Sequence, residues 1–516
     1  MDSDQATSTK AKLASVSSRG GKQQARSTER PWLGGLYFTD IIFIAFTYSV
    51  NLLRTLGLAE LADVIFKGLV YAFTRLPFEL YRRWSLMIDQ LSPFHHLVIL
   101  LSRFACGNFP HLLPRVLFAE ETIGPFVYWR TGGGSNAMSN NAQSKEADEK
   151  SFRAYLLSKD ARLPIEVQRA NLASRRATTL LYLHGGGFSL GSVAFYAEAL
   201  LRLRAKIALL ESDGPVDAEN PAAEARCVAV EYDLSPAARF PQPLLQCLRC
   251  YAHLIEVEKI HPDSICLSGD SAGGNLAMAM LLCLDGQMRD EPLLAERDWS
   301  TLPMPGKAVL ISPWVDLPNA WTEAVAKYDW DFVAGETLLH FAQVYSGVLP
   351  LPRRVYGPLG FMNPFRALSA LSRPSRKLAR ATHEALNDPL LPRLLGLNLI
   401  GTGVQSQSDT VSRYDSITAA TRTRLHARQL LDTHPLLSPA IGDWSRIKLK
   451  HGCLITWGER ERMAEDIESW VDSLVNQAQA IEKGPGGVHA WPFVSMYLAG
   501  SEGERERGLD LMARFV

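Results

Sequence analysis

Residues 267–275 read Leu267-Ser268-Gly269-Asp270-Ser271-Ala272-Gly273-Gly274-Asn275, and the Gly-x-Ser-x-Gly spacing within them decides the fold. A strand that stops, turns sharply and restarts as a helix holds the central serine on a strained elbow with its hydroxyl clear of neighbouring atoms. Glycine is needed at 269 and 273 because a side chain at either would collide across the turn. The apolar run at Ser264–Ser268 predicts the strand. The small residues of Ala272–Met280 predict a helix that sits close on the sheet, its N-terminus favouring negative charge beside Ser271.

Upstream, Leu181-Tyr182-Leu183-His184-Gly185-Gly186-Gly187-Phe188 carries an apolar strand into three consecutive glycines. Bare amides there can converge on one oxygen, so this loop and the elbow together supply a nucleophile and an oxyanion hole. Further strands are predicted at Thr179–Leu183, Cys227–Tyr232, Ala308–Ser312 and Gly452–Trp457, each nearly continuous in apolar residues, as for strands covered on both faces. Their alternation with longer helical stretches predicts an α/β fold with a mainly parallel central sheet and helices on both faces.

A serine hydroxyl needs a base, and the base an orienting acid, in the chain order nucleophile, acid, histidine. Downstream of Ser271 the histidines are His340, His383, His426, His434, His451 and His489. His489 has the fitting context, Gly484-Pro-Gly-Gly-Val-His-Ala-Trp491, expected as a loop between a helix and the terminal helices. For the acid, Glu459, Glu461 and Asp466 compete in the text after the 452–457 strand. Glu461 is the choice because it follows the strand at a distance that carries it towards His489.

Composition narrows the classes. At 516 residues, with 54 basic against 54 acidic side chains and a pI near 7.2, the chain lacks the basic excess of a nucleic-acid binder. Seven cysteines scattered through predicted strands and helices do not form a disulfide framework. Cys247 and Cys250 lie in an amphipathic helix with no second Cys or His pair nearby, which favours packing over metal. No Asn-x-Ser/Thr sequon occurs.

Residues 1–30 are too polar to order themselves and read as a basic disordered tail. Residues 31–100 read as an apolar helical segment, either membrane anchor or cap; its uncharged core, Ile41–Leu53, is shorter than the ~20 residues a span requires. A tilted helix flanked by Asp40 and Arg54, or a segment lying in the interface, would still fit, so membrane association through residues 36–81 is expected, at the endoplasmic reticulum, with a cytoplasmic location as the alternative. Residues 101–516 form the predicted catalytic domain, interrupted by a solvent loop at about 131–150 and an insertion at about 349–433.

His184-Gly-Gly-Gly-Phe188, Glu231-Tyr-Asp-Leu-Ser-Pro236, Gly269-Asp-Ser-Ala-Gly-Gly274, Ser312-Pro-Trp-Val-Asp316, Ser438-Pro439 and Val488-His-Ala-Trp491 recur in order along residues 115–500. Together they resemble the hormone-sensitive-lipase-like branch of the α/β-hydrolases. The resemblance implies an α/β-hydrolase fold with a helical cap. It implies Ser271 as nucleophile, His489 as base and Glu461 as acid, with the amides of Gly186, Gly187 and Ala272 as oxyanion hole. His184 would brace the glycine loop, and Asp270 would support the elbow. Two departures stand out: the acid position carries Glu in place of the family's usual Asp, and Tyr232-Asp-Leu-Ser-Pro236 replaces Tyr-Arg-Leu-Ala-Pro. The implied activity is carboxylesterase, needing no metal or cofactor, on a small apolar ester. Steryl acetyl hydrolases of fungal type and arylacetamide deacetylases are the similar proteins; an amide deacetylase, a lipase or a non-catalytic ligand-binding protein are the rival readings.

Overall fold

The apolar runs assemble into one sheet whose two faces are both covered. The computed structural model describes residues 38–85, 93–114, 152–157, 177–212, 225–318, 330–349, 397–401, 429–474, 479–499 and 501–516. The expected tail at 1–30 and loop at 131–150, and most of the expected insertion at 349–433, lie outside these residues. The strands are β1 (Ala154–Leu157), β2 (Thr179–Leu183), β3 (Arg226–Val230), β4 (Ile265–Asp270), β5 (Lys307–Ile311), β6 (Leu397–Gly401), β7 (Cys453–Gly458) and β8 (Gln479–Gly484). Their order is β6-β1-β3-β2-β4-β5-β7-β8. β1 pairs antiparallel with both its neighbours, and all pairs from β3 to β8 are parallel.

Side chains alternate between two apolar layers because successive strand residues point to opposite faces. Leu181, Leu183, Val228 and Val230 pack with α6 (Gln242–Glu256) and α7 (Ala272–Leu284) on one face. Leu180, Tyr182, Cys227 and Ala229 pack with α5 (Val193–Ser212), α10 (Trp491–Leu498) and α11 (Glu502–Phe515) on the other. With both faces buried, the strands need no polar alternation, which is why their runs are continuous. Gly273 permits the close seating of α7: a Cβ there would lie 2.0 Å from the Leu183 carbonyl oxygen.

Among the described residues, four helices precede the sheet: α1 (Phe38–Thr55), α2 (Leu58–Thr74), α3 (Leu76–Ser85) and α4 (Pro93–Asn108). Leu56, Phe109 and Leu112 form their buried centre, and Tyr71 stacks on Phe104 with ring centroids 4.4 Å apart. Helix α4 also packs on α8 (Gly335–Ser346), where the Thr337 hydroxyl donates to the Cys106 carbonyl at 2.6 Å. Among the described residues no helix is long and apolar enough to cross a membrane. Phe46, Ile65, Phe66, Leu69, Phe73, Phe78 and Tyr81 are nevertheless exposed. Helix α9 (Ala464–Ser473) follows β7.

Candidate active site

Strand β4 ends at Asp270, and Ser271 turns the chain with φ 53° and ψ −118° before α7 begins at Ala272. A non-glycine residue at positive φ is strained, and here the surroundings hold it there. The Ser271 amide donates to the Ile311 carbonyl at 2.9 Å, and its own carbonyl accepts from the amides of Asn275 and Trp314, both at 3.0 Å. Asn275 adds a clamp from its side chain, whose amide donates to the carbonyls of Trp314 and Leu437 at 2.8 and 2.9 Å.

The glycine loop leaves β2 with left-handed backbone at Gly186 (φ 110°) and Gly187 (φ 59°). A Cβ on Gly186 would sit 2.3 Å from the Leu190 carbonyl oxygen, and one on Gly187 the same distance from the Phe341 ring. Among the described residues, the amides of Gly186 and Gly187 have no protein acceptor, whereas that of Gly185 is taken by Asp270 Oδ1 at 2.8 Å. Ala272 is the first residue of α7, so its amide has no intrahelical acceptor either. Three donors are thus left unspent in the segments flanking Ser271.

Two side chains hold this loop. His184 stacks on Tyr232 with ring centroids 4.2 Å apart, and its Nδ1 lies 2.8 Å from the Gly185 carbonyl. Burial lowers its pKa to about 4, so it stays neutral and donates from Nδ1. Asp270 accepts from the hydroxyls of Tyr182 and of Tyr196, the latter at 2.9 Å, as well as from Gly185. Burial raises its pKa, against those hydrogen bonds and the nearby His489.

His489 lies in the loop that follows β8, so the element before it is a strand in place of the expected helix. Its Nδ1 faces Glu461 Oε1 at 3.8 Å, beyond hydrogen-bonding distance. Both atoms are buried and otherwise unpartnered. Glu461 Oε2 is already committed, accepting from Ser312 Oγ at 2.5 Å and from the Gly458 amide at 2.9 Å. The carboxylate therefore presents only Oε1 to the imidazole. Burial raises the Glu461 pKa, with His489 and Ser312 opposing. Burial would lower that of His489, but Glu461, Asp331 and Asp270 reverse the sign and raise it.

The competing carboxylates stand elsewhere. Glu459 is exposed and accepts from the Gly486 amide at 2.8 Å. Asp466 lies in the first turn of α9, where burial and then Asp316 raise its pKa to about 6. Two contributors escaped the sequence reading. Ser312, at φ 43°, donates to Glu461 and accepts from the Ala490 amide at 3.0 Å. Its motif was recognised in the sequence, but a hydroxyl two strands from the base carries no signal of that contact. Asp331 is wholly buried and accepts from the His489 amide at 3.2 Å.

Comparison with known proteins bears on the fold. A family model described as alpha/beta hydrolase fold matches residues 218–390. An acetyl-hydrolase of Streptomyces hygroscopicus is 34% identical over 145 residues, which are 28% of this chain and 38% of that protein. The chain thus spans under two fifths of that relative's length. Among solved structures, an esterase from the bacterial hormone-sensitive lipase family is 17% identical, with 82% of this chain and 97% of that one covered at a TM-score of 0.44. An esterase of Pyrobaculum calidifontis is likewise 17% identical, with 66% and 76% covered at a TM-score of 0.39. The chain has the α/β-hydrolase fold. Its resemblance to the hormone-sensitive-lipase-like branch, first carried by the motifs, holds.

Proposed function

We propose that the chain is a serine carboxylesterase acting on short-acyl esters of small apolar alcohols. The observation that carries this is the buried His489–Glu461 pair, imidazole facing carboxylate, in the same molecule as a serine held on a positive-φ elbow. In the reaction, His489 takes the proton of Ser271 as Oγ bonds to the ester carbonyl carbon. The oxyanion so formed is held by the amides of Gly186, Gly187 and Ala272, and Glu461 stabilises the imidazolium. Collapse breaks the bond to the alcohol oxygen, which leaves with the proton from His489. Water then repeats the sequence on the acyl-serine and releases the acid. This chemistry requires no cofactor.

Acetyl is the favoured acyl group because the curated relative is named an acetyl-hydrolase. Sterols or secondary metabolites as the alcohol rest on the resemblance alone. The exposed apolar side chains of α1–α3 support docking of these helices on a lipid surface, with association at the endoplasmic reticulum as the corresponding location. The test is hydrolysis of p-nitrophenyl esters from acetate to palmitate by the wild type and by Ser271→Ala. Cleavage of short esters that vanishes in the alanine variant supports the proposal. A rate that climbs with chain length points to a lipase, cleavage of anilides in preference to esters points to an amide deacetylase, and no cleavage at all by wild type points to ligand capture.

A further inference from the structure

We infer that Asp331 is a positioning residue that sets the spacing between His489 and Glu461, and that the N-terminal helix α4 holds Asp331 in place through Arg103. This rests on the catalytic roles proposed for His489 and Glu461. Asp331 is wholly buried, and its carboxylate ties together the loops that follow the adjacent parallel strands β7 and β8. Oδ1 accepts from the His489 amide at 3.2 Å and from the Phe332 amide at 2.8 Å. Oδ2 accepts from the amide of Arg462, the residue after Glu461, at 2.8 Å. One rigid carboxylate thus fixes the backbones of base and acid relative to each other. A buried acceptor serving three amides leaves neither loop free to drift without exposing an unpaired N–H.

The anchoring of Asp331 comes from outside the sheet. Arg103 of α4 donates from Nη1 to the Asp331 carbonyl at 2.9 Å. One turn back on the same helix, Ile99 is buried against Val488, immediately before His489, with Phe332 packed alongside. The Arg83 guanidinium of α3 lies 4.8 Å from the Trp330 ring centroid, and Arg460 reaches the same ring at 5.7 Å. The N-terminal helices therefore form one wall of the structure that aligns the acid and the base.

The experiment compares the full-length wild type with Asp331→Asn, Arg103→Met and Arg103→Lys. It measures kcat and KM on p-nitrophenyl acetate and the rate of covalent labelling by a fluorophosphonate, each per titrated serine. Asparagine keeps the size but turns an amide N–H towards a backbone N–H, so kcat and the labelling rate should fall about 10- to 100-fold with KM little changed. Arg103→Met should lower both about 3- to 10-fold, and Arg103→Lys, which keeps a donor, should restore them. Because values are per titrated site, partial unfolding alone moves neither. Wild-type labelling rates in both Asp331→Asn and Arg103→Met overturn the inference, and an unfolded Asp331→Asn leaves the Arg103 pair to decide. A wild type that neither turns over nor labels instead defeats the esterase proposal, and this inference falls with it.

Discussion

In the proposed reaction the acidic limb is set at His489, whose environment is opposite to that of His184. As the proposed base, His489 would have to be neutral to accept the Ser271 proton, and its pKa is raised above the ordinary 6.5. The acidic limb of kcat/KM should therefore rise through a midpoint above 6.5, lying outside the range in which His184, at about 4, titrates. Replacing Glu461 by Gln removes the charge that holds the proton on His489. That limb should move to lower pH while kcat drops on the order of 10³- to 10⁴-fold. A pH–rate profile of Glu461→Gln with an unmoved limb contradicts the pairing. In the oxyanion loop, Gly186→Ala places a methyl against the Leu190 carbonyl at a φ that alanine avoids, so activity should be lost with the backbone turn it needs. Loss of one oxyanion donor alone costs about 2.7–4 kcal/mol in the barrier, which gives the minimum decrease expected in steady-state rates.

Among the elements, legibility in the sequence followed burial. β2 matches the sequence expectation to the residue and β3, β4, β5 and β7 to within one or two, because strands sandwiched between two layers are nearly continuous in apolar residues. β8 was missed, since Gln479-Ala-Ile-Glu-Lys-Gly484 sits at the sheet edge, where polar residues are tolerated. β1 was missed because four residues, Ala154–Leu157, offer no period to recognise, and it runs against its neighbours. The same division applies to the site. Ser271 and the glycine loop announced themselves because strained turns demand glycine at fixed offsets. Asp331 gave no signal, because its contacts are to backbone amides remote in sequence, which leave no pattern in residue type. At α7, Gly273→Ala should force the helix off β2 and cost about 1–3 kcal/mol or more of stability, measured as a lower urea midpoint. An unchanged midpoint means that the helix seat is softer than the 2.0 Å approach indicates.

For the molecule as a whole, the N-terminal helices have two unlike surfaces. One is built into the fold through α4, Arg103 and the Ile99–Val488 contact. The other presents Phe66, Phe73 and Phe78, each at least 65% exposed, to the surroundings. If that surface docks on lipid, the protein should float with phosphatidylcholine vesicles in a sucrose gradient, and Phe66→Ser with Phe73→Ser should return it to the bottom fraction at unchanged esterase activity. Flotation that survives the double substitution rules this surface out as the docking face. The parallel sheet also has a bearing on synthesis. The glycine loop and Ser271 emerge from the ribosome long before the Glu461 turn and the His489 loop, and translation at roughly 5–20 residues per second leaves an interval of many seconds. On the proposed mechanism, the nascent chain during that interval carries its nucleophile with no base beside it, so the growing polypeptide would be chemically silent until its late loops dock.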